Sequence, residues 1–265
     1  MRIKWYGTAG ILLEQDGVKI LFDPFFPRSK KVYIPPIEEF SSSDAIFVTH
    51  GHFDHIADIP KIAQHGKKFN KKNIIVHCTS TPVNVLLSRG LEISDIIKIK
   101  PGDNYNFKPF AINVLKGRHI VFNKGLVLKT FLSPRVLIYL KNLINMLKEA
   151  KGCDEAGETV VYDINVKGKR IFLMGSLNLD PDAIYPNGAD LLIMPFQGRS
   201  DINRYAMQFI EKLKPKKVLL DHFDNTFPPI SSKINPDEFV SLMKKNHPDI
   251  EVIVQDPSTQ WIEVF

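Results

Sequence analysis

The run AIFVTHGHFDHIAD, residues 45–58, decides how this sequence is read. It opens on apolar and β-branched residues in the pattern of a buried strand, and that pattern stops where His50, His52, Asp54 and His55 begin. Imidazole nitrogens and carboxylate oxygens are good ligands for zinc and for similar ions such as manganese and iron. On an extended chain His50 and His52 point to the same side, whereas Asp54 and His55 lie where a helix would start and can turn another face toward the same cavity. One loop can therefore feed two adjacent metal positions. Any single histidine is more simply read as satisfying local backbone groups; ligand-type residues at H-x-H-x-D-H spacing directly after a strand are read as a metal site.

Working outward, Ile3–Tyr6, Gly10–Glu14 and Val18–Phe22 are short apolar segments broken at Gly7 and at Asp16-Gly17. An Asp-Gly pair between apolar runs is a hairpin signal. Downstream, the signals alternate between helix and strand. A helix runs from Thr81-Pro82 to Gly90, strands follow at Ile96–Ile99 and Ala111–Leu115, and Ser133-Pro134 opens a long helix closed by Gly152. Val136, Leu140, Leu143 and Leu147 form one apolar stripe on that helix. Thr159–Val166 and Ile171–Met174 flank the turn Lys167-Gly168-Lys169 as a second hairpin. Strands at Asp190–Met194 and Val218–Leu220 enclose a helix near Asn203–Leu213; a helix near Pro236–Lys245 and strands at Glu251–Val254 and Trp261–Val264 follow. No repeat or linker divides the 265 residues. The expectation is one α/β domain over 1–265, with mixed β-sheets covered by helices.

Composition narrows the classes of function. The net charge of +6 suits an anionic substrate, although lysines scattered in short groups read more simply as solvated faces. Nucleic acid is not an expected partner, because basic and aromatic residues are not interleaved. No apolar run approaches the roughly 20 residues that cross a bilayer, and a membrane is not an expected partner. The first residues, MRIKWYGTAGILLEQDG, lack the features of a secretory signal, so a cytoplasmic protein is expected. Cys78 and Cys153 are far apart and suggest neither a disulfide framework nor a cysteine zinc site.

THGHFDH resembles the signature of the metallo-β-lactamase fold superfamily, and the similarity extends over nearly the whole chain. GTAGILLEQDGVKILFDPFF resembles the opening hairpins and Asp-Pro loop of that family; GRH at 117–119 and LLDHFDN at 219–225 fall where it places further metal-binding histidines. Within the superfamily the chain looks most like the ascorbate-phosphate lactonase group. The resemblance implies a four-layer αββα sandwich with two metal ions, zinc first and manganese or iron as alternatives, at one edge between the sheets. His50, His52 and His119 would hold the first ion, and Asp54, His55 and His222 the second. Taken alone, His119 and His222 are supported by each lying just past a strand-like segment.

One position departs from the family. Where it usually carries Gly-Asp, with the aspartate bridging the metals, this chain has Gly175-Ser176. A neutral hydroxyl is a poor bridge, so the second ion is expected to bind less tightly, or Asp180 to substitute; Ser176 is expected to line the site.

The activity implied is that of a metal-dependent hydrolase. Metal-activated hydroxide attacks a carbonyl or phosphoryl centre of a small, anionic metabolite, phosphorylated or a lactone, and Asp54 serves as catalytic residue by orienting the water or taking its proton. Asp23 is read first as a turn cap before Pro24, and by resemblance as a partner that orients a ligand histidine. Arg118 and Arg199 are candidates to hold an anionic substrate, with ordinary surface arginines as the simpler reading. His65 and His77 are read as surface and strand histidines. The helical insertion at about 123–152 is a lid or a homo-oligomer contact, or more simply packs its stripe on the sandwich. Two other functions compete: a nuclease similar to ribonuclease Z, and a metal-binding protein that has lost catalysis.

Overall fold

The opening strands form an antiparallel meander: β1 (Arg2–Trp5), β2 (Ile11–Gln15) and β3 (Val18–Phe22) pair in sequence. Asp16 and Gly17 both take positive φ, +54° and +82°, in the turn that matches the right-handed twist of a hairpin. β4 (Ala45–Phe47), β5 (Ile75–Cys78) and β6 (Ile96–Lys98) extend this first sheet in parallel. The second sheet contains β7 (Asn104–Phe107), β8 (Phe110–Lys116), β9 (Val160–Val166), β10 (Lys169–Met174), β11 (Leu191–Pro195), β12 (Lys217–Asp221) and β13 (Glu251–Ile253). β14 (Ile262–Glu263) returns to pair with β1, so among the described residues each sheet has seven strands in mixed directions. This computed structural model describes residues 1–258 and 260–265.

Side-chain alternation sorts the first sheet into two faces. Trp5, Ile11, Leu13, Ile20, Phe22 and Phe47 point to the second sheet and share a core with Phe110, Ile112, Tyr162 and Ile164. Tyr162 lies 5.3 Å from Phe22 and 5.5 Å from Phe47, ring centre to ring centre. The intervening residues Leu12, Leu21, Ile46 and Val76 face outward, where Phe40, Ile59, Ile62, Val83 and Leu86 of the helices Ile37–Ser41, Ile59–His65 and Ser80–Ser88 cover them. On the far side of the second sheet, Phe209 and Ile210 of helix Met207–Leu213 and Phe239 and Met243 of helix Asp237–Asn246 close the same core. The order of layers is helix, sheet, sheet, helix.

β5 carries His77, as its reading as a strand histidine expects, whereas β7, whose exposed residues alternate at a sheet edge, is a strand that the sequence does not mark. The single helix expected after Ser133-Pro134 is two helices, Arg135–Ile138 and Leu140–Glu149, because Tyr139 leaves the helical region at φ −107°, ψ 22°. A further helix, Lys124–Phe131, precedes them, its first N–H groups accepted by the Asn123 side chain. The expected stripe is split: Val136 and Leu143 pack toward Phe25 and Phe227, joined by Met146 from outside the stripe, whereas Leu140 and Leu147 stay exposed. Among the described residues no helix is long and apolar enough to cross a membrane.

Candidate metal centre

Parallel pairing of β3 with β4 sets Phe22 opposite Phe47, so the residues just past both strands meet. Asp23 follows β3 with φ +42°, and Thr49 follows β4. The Thr49 backbone N–H donates to Asp23 Oδ1 at 2.8 Å and its hydroxyl to Asp23 Oδ2 at 2.5 Å. His55 Nδ1 lies 2.9 Å from the same Oδ2. Asp23 is fully buried, and among the described residues its carboxylate is engaged by Thr49 and His55 and not by backbone groups of the turn at Pro24, so it orients His55 and does not cap the turn. Thr49 also ties the two sheets together, since its carbonyl accepts the Val160 N–H at 2.9 Å.

The hydrogen-bond network fixes which imidazole nitrogens are free. Having given its proton to Asp23, the Thr49 hydroxyl accepts from His50 Nδ1 at 3.0 Å, leaving Nε2 of His50 with a lone pair. His119 Nδ1 donates to the Ile120 carbonyl at 2.9 Å, which likewise frees its Nε2. His50 Nε2 is a buried atom without a hydrogen-bond partner. A buried polar atom is rarely left unpaired, so this orphan fits a site built to receive a cation.

Strand ends from both sheets supply the remaining donors. His119 follows β8, and His222 follows β12 with φ +59°, its N–H donating to the Thr8 carbonyl at 2.9 Å. The ligand-type atoms fall into two groups, His50 with His52 and His119, and Asp54 with His55 and His222, each within 4.8 Å of one another. The first offers three neutral nitrogens and the second a carboxylate with two nitrogens, both donor sets that suit zinc, manganese or iron.

The electrostatics agree with that chemistry. Burial, and then the neighbouring His55 and His52, hold His50 far below the usual imidazole range, and burial with His52 brings His119 to about 4. Burial opposes charge on Asp54 too, but His55 and His222 hold it well below the usual carboxylate range. Against the effect of burial, Asp54 at 3.3 Å pushes His222 up to about 9. Neutral rings with free nitrogens are the form that binds a cation, and at the second group a cation would take the place of the His222 proton.

Both groups sit in a cavity of about 630 Å³. Its walls are mostly apolar: Phe53, Ile120, Phe122 and Phe227, with Leu126, Val127 and Phe131 from helix Lys124–Phe131. Ser176 reaches the cavity, and its hydroxyl accepts the Ile120 N–H at 3.0 Å, fastening the turn that carries His119. Asp180 does not line the cavity; Lys116 holds it in an ion pair at 2.8 Å. Arg118 is exposed and also absent from the lining. Arg199 does line it, but its guanidinium is engaged by Asp201 at 2.7 Å. His77 stacks on Phe47 within the sandwich, and His65 bonds Ser41 on the outer helices.

Thr49 and Gly175 are the residues that inspection of the motif passes over. A Cβ on Gly175 would lie 2.0 Å from Thr49 Oγ1, so only glycine lets the hydroxyl take its place between Asp23 and His50. Gly51 likewise admits the chain just after the insertion, since a Cβ there would meet the Asp154 carbonyl at 2.0 Å.

The profile of the β-lactamase superfamily domain family matches residues 2–222. Among curated proteins, a UPF0173 metal-dependent hydrolase of Methanobrevibacter smithii is 25% identical over 258 residues, covering 97% of this chain and 95% of its own length. One from Carboxydothermus hydrogenoformans is 27% identical over 242 residues, 88% of this chain and 89% of that one. Among solved structures, Igni18, a metallo hydrolase from Ignicoccus hospitalis, superposes with a TM-score of 0.62 at 18% identity over 98% of this chain and 97% of its own. That last likeness is one of fold.

Proposed function

The chain belongs to the β-lactamase superfamily domain family, and from that premise we propose that it is a metal-dependent hydrolase acting on a carbonyl or phosphoryl centre of a small molecule. One observation carries the reading: six ligand-type side chains from distant parts of the sequence converge as two groups in one cavity. The curated relatives named as metal-dependent hydrolases support it. His50, His52 and His119 would hold one ion, and Asp54, His55 and His222 the other.

Bound there, a divalent cation supplies a Lewis acid and brings the pKa of water toward neutrality. The chain's own residues do the rest. Asp54 has a carboxylate oxygen to orient the attacking water and accept its proton. Asp23 and Thr49 keep His55 and His50 from rotating, so the donors are pre-organised. The apolar walls exclude bulk water and favour a substrate with an apolar portion beside its hydrolysable group. With Arg199 engaged by Asp201 and Arg118 outside the cavity, an anionic substrate group would depend on the cations themselves for its charge partner. The lactonase-like and phosphorylated-substrate readings both fit this description.

The second ion is the weaker one in this account. Ser176 stands where a bridging carboxylate is expected, and its oxygen already accepts the Ile120 N–H. The test is to purify the protein, measure metal content by plasma mass spectrometry, and screen lactones, phosphodiesters and thioesters. Turnover that requires the metal and is lost in His55→Ala is expected; bound metal with no turnover on any class would refute the enzyme reading.

A further inference from the structure

Residues 123–152 carry five lysines and one arginine against a single glutamate, a balance of +5 in a chain whose total is +6. The glutamate, Glu149, is neutralised by Arg28 at 2.7 Å, and Arg135 is occupied by Asn225 and the Ser231 carbonyl. Lys124, Lys129, Lys141, Lys148 and Lys151 are exposed, and among the described residues none of them forms an ion pair. The same segment displays Leu128, Phe131, Leu132, Leu137, Ile138 and Leu147, each more than half exposed, with Leu137 at 77% and Ile138 at 74%. Exposed apolar side chains gathered on one segment mark an interaction surface.

We propose that this segment docks on an anionic lipid surface, with its leucines and isoleucines entering the acyl boundary and its lysines at the headgroups. Charge decides among the occupants. A second copy in a two-fold contact would bring the same uncompensated lysines against each other. RNA would find few faces for stacking, because most of the exposed apolar residues are aliphatic. A bilayer with anionic headgroups matches both the apolar side chains and the positive charge, which is the combination that holds basic amphipathic helices at an interface. The short helices Lys124–Phe131, Arg135–Ile138 and Leu140–Glu149 are held to the body through Leu143 and Met146, which leaves Leu137, Ile138 and Leu147 free. Docking through this face does not depend on what the metal centre hydrolyses.

The experiment is flotation of the full-length protein with vesicles of phosphatidylcholine alone, and with vesicles in which about one third of the lipid is phosphatidylglycerol. The protein is expected to float with the anionic vesicles and to be released in large part at about 1 M salt, where charges are screened within roughly 3 Å. Lys141→Gln with Lys148→Gln should weaken binding by roughly thirtyfold. Leu137→Ser with Ile138→Ser should abolish it with an unchanged thermal transition, because both side chains are three-quarters exposed. Failure to float with either vesicle overturns the proposal, whether the protein instead dimerises through Leu137 and Ile138 or shifts single-stranded RNA. Flotation unaffected by both double variants overturns it as well.

Discussion

Replacing Thr49 with valine keeps the branched shape of a fully buried side chain and deletes one oxygen. That oxygen lies 2.5 Å from Asp23 Oδ2 and 3.0 Å from His50 Nδ1. Asp23 keeps the Thr49 N–H at 2.8 Å and His55 Nδ1 at 2.9 Å, so the carboxylate stays held. His50 loses the acceptor that keeps its proton on Nδ1. In the metal-free protein the ring is then free to carry that proton on Nε2, which blocks the metal-facing nitrogen. The cost therefore falls on metal binding. Removing the outer partner of a ligand histidine weakens metal affinity by about 10- to 100-fold, or about 1.4–2.8 kcal/mol, and a buried donor left unpaired costs about 1–3 kcal/mol by an independent route. Competition for zinc against a chromophoric chelator measures the change, with thermal unfolding of the metal-free protein as control. Thr49→Ser should restore most of the affinity. A folded valine variant that binds zinc as tightly as the parent would refute the role given to this hydroxyl.

Gly175→Ala would place a Cβ 2.0 Å from Thr49 Oγ1, and the resulting displacement should cost about 1–3 kcal/mol of stability together with metal content; unchanged melting and metal content would contradict that packing. Ser176→Asp should raise the second metal equivalent at limiting zinc, while Asp180→Asn, its carboxylate held by Lys116, should leave stoichiometry unchanged; plasma mass spectrometry reads both. Burial holds His77 at about 4 against 6.5 when unfolded, so the unfolded state takes up a proton first as the pH falls. The stability from neutral His77 is complete above pH 6.5 and is lost toward pH 4, on the order of 3 kcal/mol. His77→Phe keeps a ring against Phe47 and should flatten the denaturation midpoint over that window; an acid slope equal to the parent's would count against this.

β1 to β4 were legible as short apolar runs ended by turn residues or by the histidine loop, because both faces of that sheet are buried, one on the second sheet and the other under helices. β5 showed only through the strand reading of His77, with no range given to it, and β7 escaped because polar residues fill its edge-strand pattern. The break at Tyr139 left no proline or glycine to signal it. Within the centre, the H-x-H-x-D-H loop could be read directly, and the β3–β4 parallel register could not. That register brings Asp23 to Thr49 across 26 residues of sequence, and nothing local to either residue announces it. The same holds for Asp180: proximity to Ser176 in sequence suggested a role, but its side chain is spent on Lys116.

The central claim is that two groups of side chains hold the metal. Anomalous diffraction at the zinc edge from crystals of zinc-loaded protein tests it most directly. The account predicts a strong peak among His50, His52 and His119 and a weaker one among Asp54, His55 and His222. Zinc bound only elsewhere on the chain, or a first group that stays empty at saturating zinc, would contradict it.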